Sequence, residues 1–352
     1  MSVFKYKHTY LQSFGTNVPP IEVTSLEIED RLSELYKKLN IPFGTLEKLS
    51  GIASRRFFSN DTLPSAIGFK AAEQALENLP FPRENIGIVI NCSVARDYFE
   101  PATAVINHQK LGLPESAMAF DITNACIGMS NGITLLGNLI ESGVVKAGLL
   151  ISGESVGSMV NGNIDYLAKM EDINRGVLLN LLPTLTLGSG GVAMVMCHES
   201  LATTSHKVIG SVSVSASEHS ALCVGNKDFC YYMPPSAGDP IMHTESGQLI
   251  ANAAIVGGRV WKQFSENFGW TRDDVGRIYC HQVGKVVNDN FYKTVGLDLE
   301  KEYTIYQKYG NQVSVAMPTA VAEGASSLAA GTKTMLLGYG SGLNCIYTGI
   351  EW

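Results

Sequence analysis

The sequence predicts an α/β layered protein with a largely buried sheet. Apolar strand-like segments alternate with helix-like segments along the whole chain. Apolar residues make up 45% of the 352 residues and charged residues 17%, which allows a large core and excludes a disordered chain. Because this length exceeds the usual limit for one core, we expect either two domains or one large layered domain.

Composition and charge also limit the function. The net charge of −7, without a cluster of Lys or Arg, argues against a nucleic-acid-binding protein. Seven cysteines without paired or metal-like spacing favour free thiols in a reducing compartment and predict no metal site. The first residues lack the pattern of a signal peptide, and no apolar run is long enough to span a membrane. We therefore expect a cytoplasmic protein without a membrane span.

The predicted elements of the first half alternate regularly. Strands are predicted at 87–93, 118–122, 145–154 and 191–197, and helices at 101–111 and from 127 to a stop at Gly143. The strand at 118–122 is expected to be short and buried. The segment 156–190, with a helical part at 177–182, is a candidate lid.

The second half echoes the first. The segment 277–282 resembles 88–92, the segment 310–313 resembles 123–126, and 334–342 resembles 147–153, each at an offset near half the chain. This pattern indicates an internal duplication. Two unrelated α/β halves would produce the same weak similarity.

Cys126 lies where an apolar strand gives way to a long helical pattern. Unpaired N–H groups and the dipole at the start of a helix stabilise a thiolate, so reactive cysteines occur in such places. The alternative interpretation is a buried cysteine that packs as a small hydrophobic residue.

His281 and Asn311 each follow an apparent strand end, where open α/β sheets place functional groups. A cysteine, a histidine and an asparagine form a coherent set for acyl transfer, with a thiolate to attack a thioester and two polar groups to hold a carbonyl or carry a proton. Taken singly, the histidine also fits a structural role and the asparagine a turn.

A glycine-rich run, Gly338-Tyr339-Gly340-Ser341-Gly342, follows the penultimate strand, and the last strand is predicted at 344–350. It is not a dinucleotide-binding fingerprint, because that motif must open a helix. Glycines permit close backbone approach, so an N–H group in this run is a candidate oxyanion donor. A tight turn before the last strand is the alternative.

Four motifs together resemble the thiolase superfamily, specifically condensing enzymes of the ketoacyl synthase III type. They are Asn-Ala-Cys-Ile-Gly around Cys126, Cys-His-Gln-Val-Gly around His281, Tyr-Gly-Asn-Gln-Val-Ser around Asn311, and Gly-Tyr-Gly-Ser-Gly-Leu. The resemblance implies a five-layer αβαβα fold of two duplicated halves, residues 1–200 with the cysteine and 201–352 with the histidine and asparagine. It also implies a homodimer, and an oxyanion hole formed by the N–H groups of Cys126 and Ser341.

Three further segments, 28–32, 46–56 and 96–104, are similar to the OleA-type members of this superfamily. Those enzymes join two fatty acyl-CoA chains by a Claisen condensation without decarboxylation, and use thioester substrates without a further cofactor. In them a glutamate crosses the dimer interface into the partner's site, so the resemblance gives Glu100 the role of base. From the residues alone, Glu100 is also an ordinary acidic residue at the start of a helix.

The chain departs from the synthase III pattern where those enzymes clasp coenzyme A with a tryptophan and an arginine. It has Thr45 and Leu49 there, so Lys48, Arg55 and Arg56 are the local candidates for a phosphate contact, with a solvated surface role as the alternative. Three rival reactions remain open. They are decarboxylative condensation with a malonyl thioester, acyl transfer to another nucleophile, and thioester hydrolysis, with either coenzyme A or acyl-carrier protein as the carrier.

Overall fold

The structure is a computed structural model that describes residues 1–77, 79–225 and 242–352. Within those ranges the strands are β1 (Ser2–Lys5), β2 (Thr9–Asn17), β3 (Ile21–Thr24), β4 (Ser54–Phe57), β5 (Ile86–Asn91), β6 (Met118–Asp121), β7 (Ala147–Glu154), β8 (Gly190–His198), β9 (Lys207–Ser215), β10 (Cys223–Gly225), β11 (Met242–Thr244), β12 (Arg277–Cys280), β13 (Lys333–Gly340) and β14 (Asn344–Glu351). The α-helices are α1 (Ser25–Arg31), α2 (Ser33–Lys38), α3 (Thr45–Ser50), α4 (Pro64–Glu77), α5 (Thr103–Lys110), α6 (Gly128–Glu141), α7 (Gly157–Lys169), α8 (Arg175–Leu185), α9 (Ser246–Phe268), α10 (Lys285–Val295), α11 (Tyr306–Tyr309) and α12 (Ala316–Gly324).

The main sheet consists of two similar series of strands. The first runs β6-β5-β7-β8-β2 and the second β12-β13-β14-β9, with β1 added to β9. The two series meet at a single pairing, Tyr10 with Lys207. β3 and β4 form a separate antiparallel pair, as do β10 and β11.

The pairing directions repeat between the two series. β5 is parallel to β7, and β7, β8 and β2 then follow in antiparallel order. β12 is parallel to β13, and β13, β14 and β9 also follow in antiparallel order. In the first series, β6 pairs with the outer side of β5 in parallel. At the equivalent place in the second series there is a single parallel bridge, between Ile278 of β12 and Glu302. This repetition is the topology expected of a duplicated fold.

The elements pack in five layers. Side chains of α6 and α12 form a central core with the facing sides of both series. Alternating side chains of the first series pack outward against α4, and those of the second pack outward against α9 and α10. Along β8, for example, Met194 faces the centre and Val195 faces α4, as the two-residue period of a strand requires. The predicted αβαβα fold is therefore confirmed.

The predicted elements agree with the structure to within a few residues, with one correction. The strand predicted as buried at 118–122 is β6, an edge strand whose Met118 is 39% exposed. An apolar run of this length does not reveal whether its strand is central or at an edge. The boundary at 200/201 stays a prediction. It falls in the connection between β8 and β9, which belong to one continuous sheet.

No helix in the described part of the chain has both the length and the hydropathy needed to cross a bilayer.

Candidate active site

One cavity of about 520 Å³ brings together residues that lie far apart in the sequence. Cys126, His281, Asn311 and Ser341 all line it. Cys126 comes from the first series of strands and the other three from the second. The structure thus places four of the predicted site residues around a single space.

Cys126 lies on a tight turn that enters α6. Ala125, just before it, has a φ of 46°, in the left-handed region that a residue with a side chain rarely adopts. The turn is closed by the N–H of Ile127, which donates to the carbonyl of Asn124 at 3.1 Å. The strained backbone turns the half-buried thiol toward the cavity at the start of a 14-residue helix.

Two opposing effects act on this thiol. Burial raises its pKa above the ordinary value, and the nearby Cys223 and Glu154 add to that shift. The free N–H groups at the start of α6 favour the thiolate. The thiol therefore needs a base for deprotonation, and cannot be regarded as a permanent thiolate.

His281 follows β12 and is only 2% exposed. Its backbone N–H donates to the carbonyl of Leu337 at 2.8 Å, which fixes the end of β12 against β13. The Nδ1 atom has no hydrogen-bond partner among the described residues. The His281 and Tyr339 rings pack in a T-shaped arrangement, with their centroids 5.2 Å apart. Burial lowers the pKa of His281 to about 4, so the imidazole is neutral near pH 7.

Asn311 is held by its backbone. Its N–H donates to the carbonyl of Thr186 at 2.8 Å, and its carbonyl accepts from the N–H of Gly188 at 2.9 Å. Its side-chain Oδ1 accepts from the N–H of Val313 at 3.0 Å. Since the amide oxygen is bonded, the NH₂ group of Asn311 is left to act as a donor in the cavity.

Ser341 begins the turn after β13. Its carbonyl accepts from Nδ2 of Asn344 at 3.2 Å, and the same amide donates to Oδ1 of Asn124 at 3.2 Å. Asn344 therefore ties the Ser341 turn to the Cys126 turn. A Cβ atom on Gly340 would lie 3.3 Å from the nitrogen of Cys126, so glycine permits this close approach.

Glu100 is not brought into this cavity. It is exposed, in the connection between β5 and α5, and is not among the residues that line the cavity of its own chain. Val94 and Ala95, from the beginning of the same connection, do line the cavity. A catalytic role for Glu100 therefore requires a second chain.

The three candidate phosphate contacts differ in position. Arg55, on β4, is fully buried and donates to Oγ of Ser25 at 3.0 Å, and burial lowers its pKa to about 10. This buried position makes a phosphate contact by Arg55 unfavourable, and the predicted contact stays a prediction. Arg56 pairs with Glu22 at 2.9 Å, and Lys48 is exposed on α3. None of the three lines the cavity.

Sequence reasoning missed Glu154, a fully buried carboxylate that lines the cavity at the end of β7. Burial raises its pKa, although hydrogen bonds from Ser314, Val94 and Ala95 oppose the shift. The available signal was an acidic residue at the end of an otherwise apolar strand. It also missed Cys223, whose Sγ lies 3.5 Å from Oγ1 of Thr244 in the cavity wall.

The remaining cavity wall is mostly apolar. Side chains from α7, α8 and α9 contribute to it, and the group is Met159, Pro183, Leu249, Ile250 and Ala253. The segment 156–190 therefore forms two helices that supply part of the wall. Such a wall favours a ligand with a long hydrocarbon part.

The sequence predicts no metal site. The structure places possible ligand atoms of His8, His198 and Glu199 within 4.8 Å of one another. None of these residues lines the cavity, and Nδ1 of His8 lies 3.0 Å from Oε1 of Glu199. The cluster lies apart from the candidate active site, and the absence of a metal stays a prediction.

Comparison with known proteins identifies relatives over the whole chain. The chain is 33% identical to an acyl-CoA:acyl-CoA alkyltransferase of Shewanella oneidensis, over 99% of its own length and 100% of that protein. It is 24% identical to a beta-ketoacyl-[acyl-carrier-protein] synthase III of Clostridium tetani, over 99% of both chains. Residues 265–352 match the family model for the C-terminal part of 3-oxoacyl-[acyl-carrier-protein (ACP)] synthase III.

Solved structures of related proteins have the same fold as this chain. Cerulenin-bound OleA of Xanthomonas campestris superimposes with a TM-score of 0.91 and 30% identity, over 99% of this chain and 98% of that one. A cysteine-to-serine variant of the same OleA, with bound lauric acid and lauroyl-CoA, has the same TM-score of 0.91 and 30% identity, over 99% and 100% of the two chains. The chain therefore belongs to the thiolase superfamily and, within it, to the acyltransferases of the ketoacyl synthase III type that include OleA.

Proposed function

We propose that this enzyme joins two fatty acyl-CoA molecules in a Claisen condensation, through an acyl-enzyme formed on Cys126. The observation that carries the proposal is the single, mostly apolar cavity lined by Cys126, His281 and Asn311. The names of the relatives support acyl-CoA as the substrate class. The reaction needs thioester substrates and no further cofactor.

The first step transfers an acyl chain to the enzyme. The sulfur of Cys126 attacks the thioester carbonyl, and neutral His281, with its Nδ1 unpartnered among the described residues, is the candidate acceptor of the thiol proton, although burial lowers its pKa and weakens it as a base. The N–H groups of Cys126 and Ser341 hold the negative oxygen of the tetrahedral intermediate. The C–S bond to coenzyme A then breaks, and coenzyme A leaves as the thiol with the transferred proton.

The second step forms the carbon–carbon bond. The α-carbon of a second acyl-CoA loses a proton to Glu100, and His281 and the NH₂ group of Asn311 stabilise the enolate oxygen. The α-carbon attacks the carbonyl of the acyl group on Cys126. The bond from sulfur to that carbonyl breaks, which releases a β-ketoacyl thioester and returns the cysteine.

Glu100 reaches a cavity only in a homodimer. Exposed apolar side chains surround its connection, with Val94 41% exposed, Tyr98 54% and Met118 39%. Met118 belongs to β6, whose outer edge is unpaired among the described residues. Apolar patches and open strand edges favour association. We place the dimer contact on this face, with Glu100 of each chain in the cavity of its partner.

Four further assignments belong to this proposal. The division into residues 1–200 and 201–352 gives each half one series of strands and its own catalytic groups, except that β1 of the first half pairs with β9 of the second. Lys48 and Arg56 remain candidates for a contact with the phosphates of coenzyme A. Six described cysteines are free, which supports a reducing, cytoplasmic location. Acyl-carrier protein is the alternative carrier.

The test is mass spectrometry of the products formed from acyl-CoAs of increasing chain length, with and without a malonyl thioester. We expect a β-ketoacyl product from acyl-CoA alone, without release of carbon dioxide. Decarboxylative condensation is the second candidate, since the chain matches the synthase III family model. A product that requires malonyl thioester and releases carbon dioxide would establish that reaction. Free fatty acid as the sole product would establish hydrolysis.

A further inference from the structure

Glu154 is a buried carboxylate with a complete set of donors. Its Oε1 accepts from the N–H of Val94 at 2.9 Å and from the hydroxyl of Ser314 at 2.5 Å. Its Oε2 accepts from the N–H of Ala95 at 3.1 Å. Both oxygens are therefore bonded to the protein, although the residue lines the cavity.

Burial of such a carboxylate lowers the stability of the fold. A buried carboxylate loses its hydration, and the loss is offset only in part by hydrogen bonds from neutral donors. Glu154 takes part in none of the ion pairs between described residues. An apolar residue would cost less at the end of β7, so the position points to a role in the site.

The donors come from two different connections, and only the first of them, with Val94 and Ala95, supplies donors that line the cavity. Val94 and Ala95 begin the connection between β5 and α5 that carries Glu100. Ser314 follows Asn311 by three residues, in the short helical turn before α12. Within one chain, the carboxylate thus connects the loop that carries Glu100, the base proposed for the partner's cavity, to the turn that carries Asn311 in the chain's own cavity.

Activation of Cys126 is excluded as the role of this carboxylate. A negative charge near the thiol disfavours the thiolate, and Glu154 contributes to the raised pKa of Cys126. A direct proton transfer is also disfavoured, because Oε1 already accepts two hydrogen bonds and Oε2 accepts one, which leaves few lone pairs for a proton.

We propose that Glu154 is a positioning residue for the condensation step. Within one chain it fixes the loop whose Glu100 enters the partner's cavity against the turn whose Asn311 lines the chain's own cavity. The inference rests on the proposed function, because Glu100 of one chain and Asn311 of its partner meet in one cavity only in the dimer, and both are needed only when an enolate forms. It assigns Glu154 no part in the transfer of the acyl chain to Cys126.

The proposal is tested by measuring acylation of Cys126 and condensation separately in the variant Glu154→Gln. The substitution keeps the shape and replaces one acceptor oxygen by an NH₂ group, which must face one of the three donors. We expect the rate of condensation to fall about tenfold or more, with the rate of Cys126 acylation by lauroyl-CoA within about threefold of wild type. Acylation is followed by intact mass in single turnover and condensation by product formation.

A double-mutant cycle between Glu154 and Glu100 is the decisive test. If Glu154 acts through the Glu100 loop, then Glu154→Gln should lower condensation by no more than about twofold in a Glu100→Gln background. Equal losses in both backgrounds, or a loss of acylation as large as the loss of condensation, would overturn the proposal. A wild-type enzyme that is not acylated, or that does not condense, would instead refute the proposed function.

Two further variants support this test, one as a matched control and one as a substitute for Glu154→Gln. Glu302→Gln is the matched control, since Glu302 is also a buried carboxylate, accepts from Asn288 at 3.0 Å and does not line the cavity. It should affect both steps equally, and a selective loss of condensation there would count against the assignment to Glu154. Should Glu154→Gln fail to fold, Ser314→Ala removes one donor, keeps the carboxylate, and is expected to give a smaller loss confined to condensation.

Discussion

The turns that enter the two central helices occupy equivalent places in the two halves but present different groups. The turn before α6 uses Ala125 at a φ of 46° to present the half-buried thiol of Cys126. The turn before α12 uses Gly310 at 70° and Val313 at 56° to hold Asn311, which is 7% exposed. The same kind of strained backbone therefore positions a nucleophile in one half and a hydrogen-bond donor in the other.

The ends of β5 and β12 differ in the same way. After β5, Cys92 is buried and the hydroxyl of Ser93 donates to the carbonyl of Ala95 at 2.6 Å. After β12, His281 lines the cavity with Nδ1 unpartnered among the described residues. One copy of this strand end supports the structure and the other supplies a chemical group, so the halves share a topology and divide the site between them.

The largest effect that bears on this division is expected for Glu100→Gln, which removes the candidate base without altering either half. Condensation should fall about 10²- to 10⁴-fold, the usual contribution of a general base, while acylation of Cys126 stays near the wild-type rate. Product formation and intact mass measure the two steps. Glu115→Gln, another exposed glutamate, is the control and should change neither step. Unchanged condensation in Glu100→Gln would mean that the base lies elsewhere.

Asn311→Ala tests the donor turn directly. Loss of one oxyanion donor costs about 3 kcal/mol, so condensation should fall about 10²-fold. The backbone bonds to Thr186 and Gly188 do not depend on the side chain, but the N–H of Val313 loses its acceptor, so the thermal unfolding temperature should also fall by a few degrees. Asn290→Ala, on the exposed side of α10, serves as the control. Equal activity of the two variants would remove Asn311 from the mechanism.

A smaller effect is expected from pH. Because burial lowers the pKa of His281 to about 4, the imidazole should stay neutral and active well below the ordinary histidine value of about 6.5. The unfolded chain binds this proton more readily, so the contribution of His281 to stability is complete above pH 6.5 and declines as the pH falls toward 4. A pH–rate profile of condensation by wild type and His281→Asn measures the first effect. An acid limb near pH 6.5 that disappears in the variant would contradict a buried, neutral imidazole.

The sequence was sufficient for the features that local patterns determine. The fold class, the strands and helices that were predicted, and the grouping of Cys126, His281 and Asn311 follow from periodicity, strand ends and motifs, whereas β2, β9, α4 and α9 were not predicted. The sequence was a poorer guide to which side chains are buried. Arg55 and Arg56 are neighbours on β4, yet only Arg55 is fully buried, because the two side chains point to opposite faces of the strand.

Two other features required coordinates or a second chain. Glu154 belongs to no motif, and its importance comes from donors 60 and 160 positions away in the sequence, which only the tertiary structure brings together. The place of Glu100 depends on the surface of a partner chain. A single sequence does not specify that contact, because association depends on complementarity between two surfaces.

The central claim is that Cys126 carries the acyl chain, and intact mass after incubation with lauroyl-CoA tests it most directly. The account predicts that wild type gains the mass of one lauroyl group per chain and that Cys126→Ala gains none, while Cys223→Ala, which removes a second thiol among the described residues of the cavity wall, is acylated like wild type. An adduct that persists in Cys126→Ala, or that disappears in Cys223→Ala, would contradict it.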